Sequence, residues 1–530
     1  MSEATLQQLM KTDCKYITYN ETGYFSKIVS DYLSRDEKMK PFYEHETSLE
    51  GIKQAIRNRQ AFATNRPLLV KVLKEQYQGL ETTALVQQHI EALGDDKTFT
   101  VTTAHQPNIF TGPFYFIYKI LHAIKLAASL AQQLPEYKFV PVYYMGSEDA
   151  DLDEVGTTTL QGKKYKWETK QTGAVGRMKV DKAFIQLITE MKGQLGVLPF
   201  GEEVTGLFQA FYTEGTSIQQ ATLGLVNALF GKYGLVVLVP DHAEYKRAFA
   251  PVIEKELKEH FSHTAVAETL EQLSKHYKVQ AGGREINLFY LTENNRERIE
   301  EPAFPLAQML EELQTNPERF SPNVILRGVL QETLLPNIAF IGGGGELAYW
   351  LELKQVFAVA QVPYPVLLVR NSFVWVEKKR ADQLQEMGLE LVDLFLSLHD
   401  QMTKVTKIKS ENPTSLQSEI AAVRDLYATI EKAASKTETS LSQHVQALRT
   451  QAVKKLDQLE KKMLKAEKRK FGQEEFRLQQ IRQALLPNNN LQERVENFST
   501  LYSQYGNKIL DVLLQHSLTL EQQFGIIITD

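Results

Sequence analysis

The sequence predicts an α/β protein in which a mostly parallel β-sheet core is followed by an α-helical coiled coil. Between about residues 97 and 370, short apolar and β-branched runs alternate with longer helical patterns, as expected for parallel strands joined by helices. After about Val376 the strand signals vanish, and Gln, Lys, Glu and Leu dominate. At 530 residues the chain is too long for one ordinary core, so several domains are expected.

The sequence divides into three predicted segments. Residues 1–375 form the α/β core with helical insertions, residues 376–485 form the coiled coil, and residues 486–530 form a helical return segment. Six runs in the core have the composition of strands. They begin at Thr98, Lys138, Gly234, Ile286, Asn337 and Pro365.

A heptad pattern carries the coiled-coil prediction. The apolar positions are spaced by 4, 3, 4, 4, 3, 4 and 3 residues, which is a heptad repeat with one four-residue slip. They are Leu441, Val445, Leu448, Ala452, Leu456, Leu459, Met463 and Ala466. These positions form one apolar stripe, the seam of the coiled coil. The seam must pack against either a second subunit or the earlier helix that contains Leu416, Ile420, Val423, Leu426 and Ile430. We predict both contacts, and therefore a homodimer through residues 415–485.

Composition argues against several classes of protein. The formal net charge of −5 gives no global positive field for nucleic acid, and we read the Lys-rich stretch near the seam as a solvated helix surface. Cys14 is the one cysteine, so an internal disulfide and a cysteine-based zinc site are excluded. The N-terminus lacks a signal-peptide pattern, and no apolar run reaches about 18 residues. We therefore expect a soluble, cytoplasmic protein without membrane contact.

The first candidate site is the stretch "HQPNIFTGP", which follows the strand that begins at Thr98. Pro113 suits the first position of a helix, with Gly112 as its N-cap. His105 and Asn108 would then lie beside free helix N–H groups, where phosphate or carboxylate binds. The alternative is that both side chains only satisfy loop backbone groups.

The second candidate is "SEDADLDEV", which follows the strand that begins at Lys138. Five carboxylates occur within seven residues, starting with Glu148 and Asp149, and they could bind an ammonium group, a sugar hydroxyl or a metal. An EF-hand is disfavoured because the required glycine and the final glutamate are missing, and we predict no metal. The alternative is a solvated acidic loop. Asp241 and Arg370 follow two further predicted strands.

The third candidate is "GGGGELAYW", after the strand that begins at Asn337. Gly343, Gly345 and Ala348 fit a minimal G-x-G-x-x-A dinucleotide fingerprint. The pattern has little specificity, because four successive glycines satisfy many motifs. The glycines, including Gly344, could equally let another ligand approach the backbone, and Glu346 and Tyr349 begin the next helix.

Several segments together resemble the bacillithiol-biosynthesis cysteine-adding enzyme family, also called the cysteine ligase family. They include "HQPNIFTGPFYFIYKILHAIKLA", "MGSEDADLDEV", "NLFYLTENNRERIE", "SPNVILRGVLQETLLPNIAFIGGGGELAYWLELK", "PVLLVRNSF" and "LQERVENF". The resemblance implies a Rossmann-type core related to class I aminoacyl-tRNA synthetases, and a coiled coil that forms the dimer. It also implies a reaction, which joins the carboxyl group of L-cysteine to the amine of glucosaminyl-malate and yields bacillithiol.

The resemblance also implies roles for individual residues. His105 and Asn108 take the places of the first and last histidines of the synthetase H-I-G-H signature, as phosphate or oxyanion donors. From the chemistry of the side chains we expect Glu148 and Asp149 to hold an ammonium or sugar group. We expect Arg327 and Arg370 to hold malate or phosphate, and the alternative for each arginine is a salt bridge. Further binding residues are expected at Gly112, Lys119, Asp241, Gly343, Gly344, Glu346 and Tyr349. ATP is the expected activator, because a free carboxylate does not acylate an amine at neutral pH.

Two other functions stay open at this point. The glycine fingerprint is compatible with a nucleotide-binding oxidoreductase, although Arg370 rather than an acidic residue ends the following strand. The coiled coil is compatible with a scaffold whose α/β core is a retired enzyme. The sequence leaves open which loop binds which substrate.

Overall fold

The computed structural model describes residues 11–279, 281–300 and 302–529. The first ten residues of the predicted core, which also entered the signal-peptide prediction, lie outside these ranges. The strands are β1 Thr12–Ile17, β2 Thr98–His105, β3 Lys138–Met145, β4 Thr157–Leu160, β5 Lys163–Lys166, β6 Val236–Leu238, β7 Leu288–Leu291, β8 Arg296–Arg298, β9 Phe320–Pro322, β10 Asn337–Gly342, β11 Val366–Val369, β12 Ser372–Glu377 and β13 Phe524–Thr529.

The helices are α1 Tyr19–Thr22, α2 Lys27–Leu33, α3 Leu49–Gln60, α4 Arg66–Gln76, α5 Ala84–Ala92, α6 Tyr115–Gln133, α7 Leu152–Val155, α8 Lys182–Leu195, α9 Gly201–Phe211, α10 Ile218–Phe230, α11 Ala243–Glu259, α12 Phe261–Leu273, α13 Leu306–Thr315, α14 Val324–Leu334, α15 Gly344–Trp350, α16 Lys354–Ala360, α17 Lys378–Glu386, α18 Leu398–Lys409, α19 Gln417–Thr437, α20 Leu441–Lys468, α21 Gly472–Leu485, α22 Gln492–Val495, α23 Ser499–Tyr505 and α24 Lys508–His516.

The central sheet has five parallel strands in the order β11-β10-β2-β3-β6, which confirms the predicted parallel core. The predicted strand at Ile286 is the exception. It forms β7, which pairs antiparallel with β8 and β9 in a separate small sheet. Placing it in the central sheet was therefore wrong, because a local apolar run does not reveal which strand it pairs with.

The central strand β2 is buried although it is rich in threonine. Its β-branched residues suit a strand, and two of its hydroxyls are satisfied inside the sheet. Thr102 donates to Asn337 Oδ1 at 2.8 Å, and Thr103 donates to the Ile341 carbonyl at 2.8 Å. These bonds join β2 to β10.

The start of α6 differs from the prediction at Gly112 and Pro113. The helix begins at Tyr115 with Phe114 as its N-cap, whereas Gly112 ends a preceding 3₁₀ turn with φ +64°. Asn497 explains the difference, because its side chain donates to the carbonyls of Phe110 and Gly112 at 2.8 and 2.6 Å. A residue from the far end of the chain therefore sets this backbone.

A second sheet joins three distant parts of the chain. Strand β13 pairs antiparallel with β1 and parallel with β12. The expectation that strands vanish after Val376 was therefore wrong, as was a purely helical segment at 486–530. The predicted boundary at residue 375 falls inside β12, and the C-terminal segment packs back onto the α/β core.

Helices α19 and α20 are consecutive in sequence and pack side by side. Ile420 and Val445 are buried, while four other apolar side chains of the pair are 40–57% exposed, namely Leu426, Ile430, Leu448 and Leu459. The intramolecular helix pair thus covers only part of the predicted seam. Within the described ranges, every helix is too short or too polar to cross a membrane.

Candidate active site

A cleft of about 800 Å³ lies at the carboxyl ends of the central strands. Strands β3 and β10 flank β2 on opposite sides, so the cleft lies where the connections leave in two directions, the usual ligand position in such sheets. Its lining comprises Ala104, His105, Gln106, Tyr115, Lys119, Tyr144, Gly146, Asp149, Glu154, Ala281, Gly282, Arg284, Phe289, Arg296, Asn323, Val324, Arg327, Gly343, Gly344, Gly345, Glu346, Tyr349, Arg370 and Arg494.

His105 ends β2, and its ring packs edge-on against Tyr115, with ring centroids 5.3 Å apart. Its Nε2 is buried without a hydrogen-bond partner in the described part of the chain. Burial, followed by the nearby Lys119 and Arg370 cations, lowers the pKa of His105 well below its usual value. The ring is therefore neutral near pH 7, and it can donate or accept one hydrogen bond but supplies no fixed positive charge.

Lys119 lies on the first turns of α6 with its side chain buried. It donates to the Ala104 carbonyl at 2.9 Å and forms an ion pair with Glu346. The Glu346 carboxylate also accepts the Gly343 N–H at 2.8 Å. Burial lowers the pKa of Lys119, although Glu346 opposes this effect. The pair therefore links α6 to the turn formed by Gly343, Gly344 and Gly345 after β10, which we call the glycine turn.

Asp149 follows β3 and faces two arginines. Its carboxylate lies 3.4 Å from Arg327 and 3.8 Å from Arg296, and it accepts a hydrogen bond from Gln106 at 3.2 Å. Burial alone would raise the pKa of Asp149, but Arg327 and Arg296, together with hydrogen bonds from Gln106 and the Ala150 N–H, outweigh it and lower this pKa. Asp149 is therefore ionised, and its single negative charge is shared between two cations.

Arg370 follows β11 and is held by the C-terminal segment. Its guanidinium donates to Glu493 of α22 at 2.7 Å and to Ser372 Oγ at 2.8 Å. It lies over the Tyr115 ring at 5.1 Å. Tyr115, Arg370 and Glu493 thus bring distant parts of the sequence together at this wall of the cleft.

Two family models together match almost the whole chain. The model described as bacillithiol biosynthesis BshC, N-terminal Rossmann-like domain, matches residues 10–371. The model described as bacillithiol biosynthesis BshC, C-terminal coiled-coil domain, matches residues 373–529. The chain belongs to the bacillithiol biosynthesis BshC family. The predicted fold class, a Rossmann-type core with a C-terminal coiled coil, is confirmed.

Relatives of the BshC family match over their full length. The protein of Flavobacterium johnsoniae named "Putative cysteine ligase BshC" is 40% identical, covering 98% of this chain and 100% of the relative. The protein of the same name from Flavobacterium psychrophilum is also 40% identical, covering 98% and 99%. That of Bacillus cereus is 24% identical, covering 94% and 97%.

The structure brings most of the sequence-predicted site residues of this BshC chain into one cleft. They are His105, Lys119, Asp149, Arg327, Gly343, Gly344, Glu346, Tyr349 and Arg370. In the described ranges, no group of three or more His, Cys, Asp and Glu residues is placed to hold a metal ion.

Four predicted residues lie outside the lining of the cleft. Asn108 packs against Gly112, because a Cβ on Gly112 would come within 2.8 Å of the Asn108 Cβ. Neither residue lines the cleft beside His105. Glu148 is buried in an ion pair with Lys246 and also accepts from Ser321 at 3.3 Å. Asp241 accepts two hydrogen bonds from Arg177, at 2.7 and 2.6 Å. These two carboxylates have cationic partners and do not line the cleft.

Other cleft residues were missed in the sequence. Arg284 precedes strand β7, and Arg296 is the first residue of strand β8. Arg494 lies in α22 near the C-terminus. Arg296 and Arg494 lie in segments that resemble the family, but the sequence prediction gave neither residue a role. Tyr115 also lines the cleft, although it was not among the predicted site residues. Its neighbours Phe114 and Phe116 are buried.

Proposed function

We propose that this chain is a ligase that forms the amide bond between the carboxyl group of L-cysteine and the amine of glucosaminyl-malate, the last step of bacillithiol biosynthesis. Family membership supports a role in bacillithiol biosynthesis, and the name of the relatives supports a cysteine ligase. The observation that carries the substrate assignment is the charge of the cleft.

The cleft is lined by more cations than carboxylates. The six cationic side chains are Lys119, Arg284, Arg296, Arg327, Arg370 and Arg494, and the three acidic ones are Asp149, Glu154 and Glu346. Since His105 is neutral near pH 7, the excess of positive charge favours anionic substrates. A malyl group brings two carboxylates, and arginine binds carboxylate and phosphoryl oxygens in the same way.

Activation of the cysteine carboxyl group requires a phosphoryl or adenylyl donor, for which we propose ATP. The residues fit such a group, because Lys119 and Arg370 supply positive charge beside the glycine turn. A side chain on Gly345 would meet no atom within 4 Å, so space is open there. When bound, ATP supplies the phosphorus centre that makes the carboxyl carbon reactive. Lys119, Arg370 and the glycine turn would hold its phosphates.

His105 and Asp149 take the remaining roles in this proposal. The unpartnered Nε2 of His105 can donate to an oxygen that gains charge or accept a proton from the attacking amine, according to its tautomer. The ionised Asp149 holds an ammonium group of a substrate in place. Arg327, on the other side of Asp149, orients that carboxylate or a malyl carboxylate.

The experiment is to incubate the purified protein with L-cysteine, glucosaminyl-malate and ATP and to detect bacillithiol by mass spectrometry. We expect product from the wild type and from His444→Ala, a control histidine exposed on α20. We expect at least a hundredfold lower rate from His105→Ala, the usual effect of losing a proton-transfer or oxyanion group. An unchanged rate in His105→Ala would remove His105 from the mechanism.

We also propose that the protein acts as a homodimer through α19 and α20. Support comes from the side chains that the helix pair leaves exposed, which include Leu426, Leu448 and Leu459. Their positions lie within the predicted heptad region, where a second helix pair would cover them. No cleft residue named above lies on α19 or α20, so the dimer contact and the cleft are separate features.

A further inference from the structure

Arg494 differs from the other cations of the cleft in its ion pairing. Lys119 pairs with Glu346, Arg370 with Glu493 and Arg284 with Glu300, while Arg296 and Arg327 share Asp149. Arg494 has no ion pair with a carboxylate in the described ranges. A half-buried guanidinium that lines a cleft without an ion-pair partner is ready to bind an anionic ligand.

The surroundings fix Arg494 without neutralising it. Its guanidinium stacks on the Phe25 ring at 5.2 Å and donates to the Tyr24 carbonyl at 3.3 Å. The adjacent Glu493 attracts it but forms no ion pair with it, because that carboxylate is engaged by Arg370 at 2.7 Å and by the Phe373 N–H at 3.2 Å. Phe25 also lies against Gly344, where a Cβ would come within 3.4 Å of its ring. Arg494 and the glycine turn therefore share one neighbour.

Arg370 supplies a second observation at the same place. This side chain is only 4% exposed. Its terminal nitrogens are satisfied by Asn371, Ser372 and Glu493. Its Nε–H, however, is buried without a partner in the described ranges. It lies beside Gly343, where a Cβ would be 3.7 Å from Nε. An unpaired buried donor is costly, and an anion in the cleft would satisfy it.

We infer that Arg494 and the Nε–H of Arg370 form an anion-binding subsite beside Gly343 and Gly344, for a carboxylate or phosphoryl group of a substrate. Two adjacent residues of helix α22 contribute to this subsite in different ways. Glu493 positions Arg370, and Arg494 binds the ligand. The inference rests on the proposed function for the source of the anion, which is either the malyl group of glucosaminyl-malate or a phosphate of ATP.

The test measures binding of glucosaminyl-malate and of ATP, separately, by isothermal titration calorimetry. The variants are Arg494→Gln, Arg494→Lys and the control Arg469→Gln, which removes the same charge from an exposed position far along the coiled coil. We expect Arg494→Gln to raise the dissociation constant of one of the two ligands at least about tenfold, the value of one charge-assisted contact. The control should change neither constant by more than twofold.

Either ligand can reveal the subsite. Weaker binding of glucosaminyl-malate alone assigns the subsite to a malyl carboxylate, and weaker binding of ATP alone assigns it to a phosphoryl group. If Arg494→Gln does not fold, Arg494→Lys gives the same readout with a smaller loss, because lysine keeps the charge but lacks the planar fork.

The inference is overturned if the wild type binds neither ligand, or if the Arg494 variants bind both ligands as the control does. Since binding is measured without turnover, failure of the ligation reaction would refute the proposed function and leave a positive binding result intact. Conversely, product formation with unaltered binding in the Arg494 variants would refute the subsite alone.

Discussion

Replacement of Glu493 by glutamine tests how the C-terminal segment holds the cleft. Glu493 is fully buried and accepts from Arg370 at 2.7 Å and from the Phe373 N–H at 3.2 Å. Glutamine preserves the volume and can still accept one of these bonds, but it removes the charge. The buried Arg370 guanidinium then has no counter-ion.

The expected cost follows from the pair distance. At 2.7 Å and an effective dielectric constant of about 20, the attraction is about 6 kcal/mol. Part of it offsets the cost of burying both charges, and breaking such buried pairs costs about 3–5 kcal/mol. We expect a decrease of this size in the free energy of unfolding of Glu493→Gln. The control Glu377→Gln breaks a half-exposed pair with Arg380 at 3.3 Å and should cost less than about 1 kcal/mol.

The assay is urea unfolding at pH 7 followed by tryptophan fluorescence. The three tryptophans, Trp167, Trp350 and Trp375, all lie outside α19 and α20, so the signal reports on the chain outside this helix pair. Trp375 lies in β12, two residues after Phe373. Equal losses in Glu493→Gln and Glu377→Gln would refute the reasoning that Glu493 compensates a buried charge.

Two further predictions concern assembly and pH. Replacing both Leu448 and Leu459 by lysine should convert the dimer to a monomer in sedimentation velocity, because burying the new charges costs several kcal/mol. The control Gln451→Lys with Gln458→Lys adds the same charge at exposed positions and should stay dimeric. A wild type that already sediments as a monomer contradicts the interface. Burial lowers the pKa of His122 from 6.5 to about 4. Between these pH values the unfolded chain therefore binds a proton that the folded chain does not. The free energy of unfolding falls as the pH decreases through this range, by about 3 kcal/mol in total. Urea unfolding at pH 7 and pH 4.5 should show a smaller loss on acidification in His122→Gln than in the wild type, and equal losses would contradict the assignment.

The parallel core could be predicted because each strand carries a local signal. β2, β3, β6, β10 and β11 are runs of apolar and β-branched residues, and in a parallel sheet such runs end at one edge. His105 and Asp149 could therefore be placed in one cleft before any contact was known. The heptad spacing from Leu441 likewise gave the coiled coil, since a repeat is a property of the local sequence.

The features missed depend on contacts between distant segments. Strand β13 is a short apolar run after a long helical region, and it becomes a strand by pairing with β1 and β12. The backbone at Gly112 is set by Asn497. Glu148 looked like a free acid beside Asp149, but Lys246 of α11 neutralises it. Arg494 lies in the segment "LQERVENF" that resembles the family, but its position in the cleft follows only from the return of the C-terminal segment.

In the proposed reaction the chain activates the carboxyl group of cysteine and transfers the cysteinyl group to an amine. The most direct measurement supplies L-cysteine with ¹⁸O in both carboxyl oxygens, together with glucosaminyl-malate and ATP, and follows the label by mass spectrometry. Amide formation through a phosphorus-activated carboxyl group leaves one ¹⁸O in the bacillithiol carbonyl and places the other in phosphate or AMP. Absence of bacillithiol, or bacillithiol formed without ¹⁸O in any phosphorus-containing product, would contradict the account.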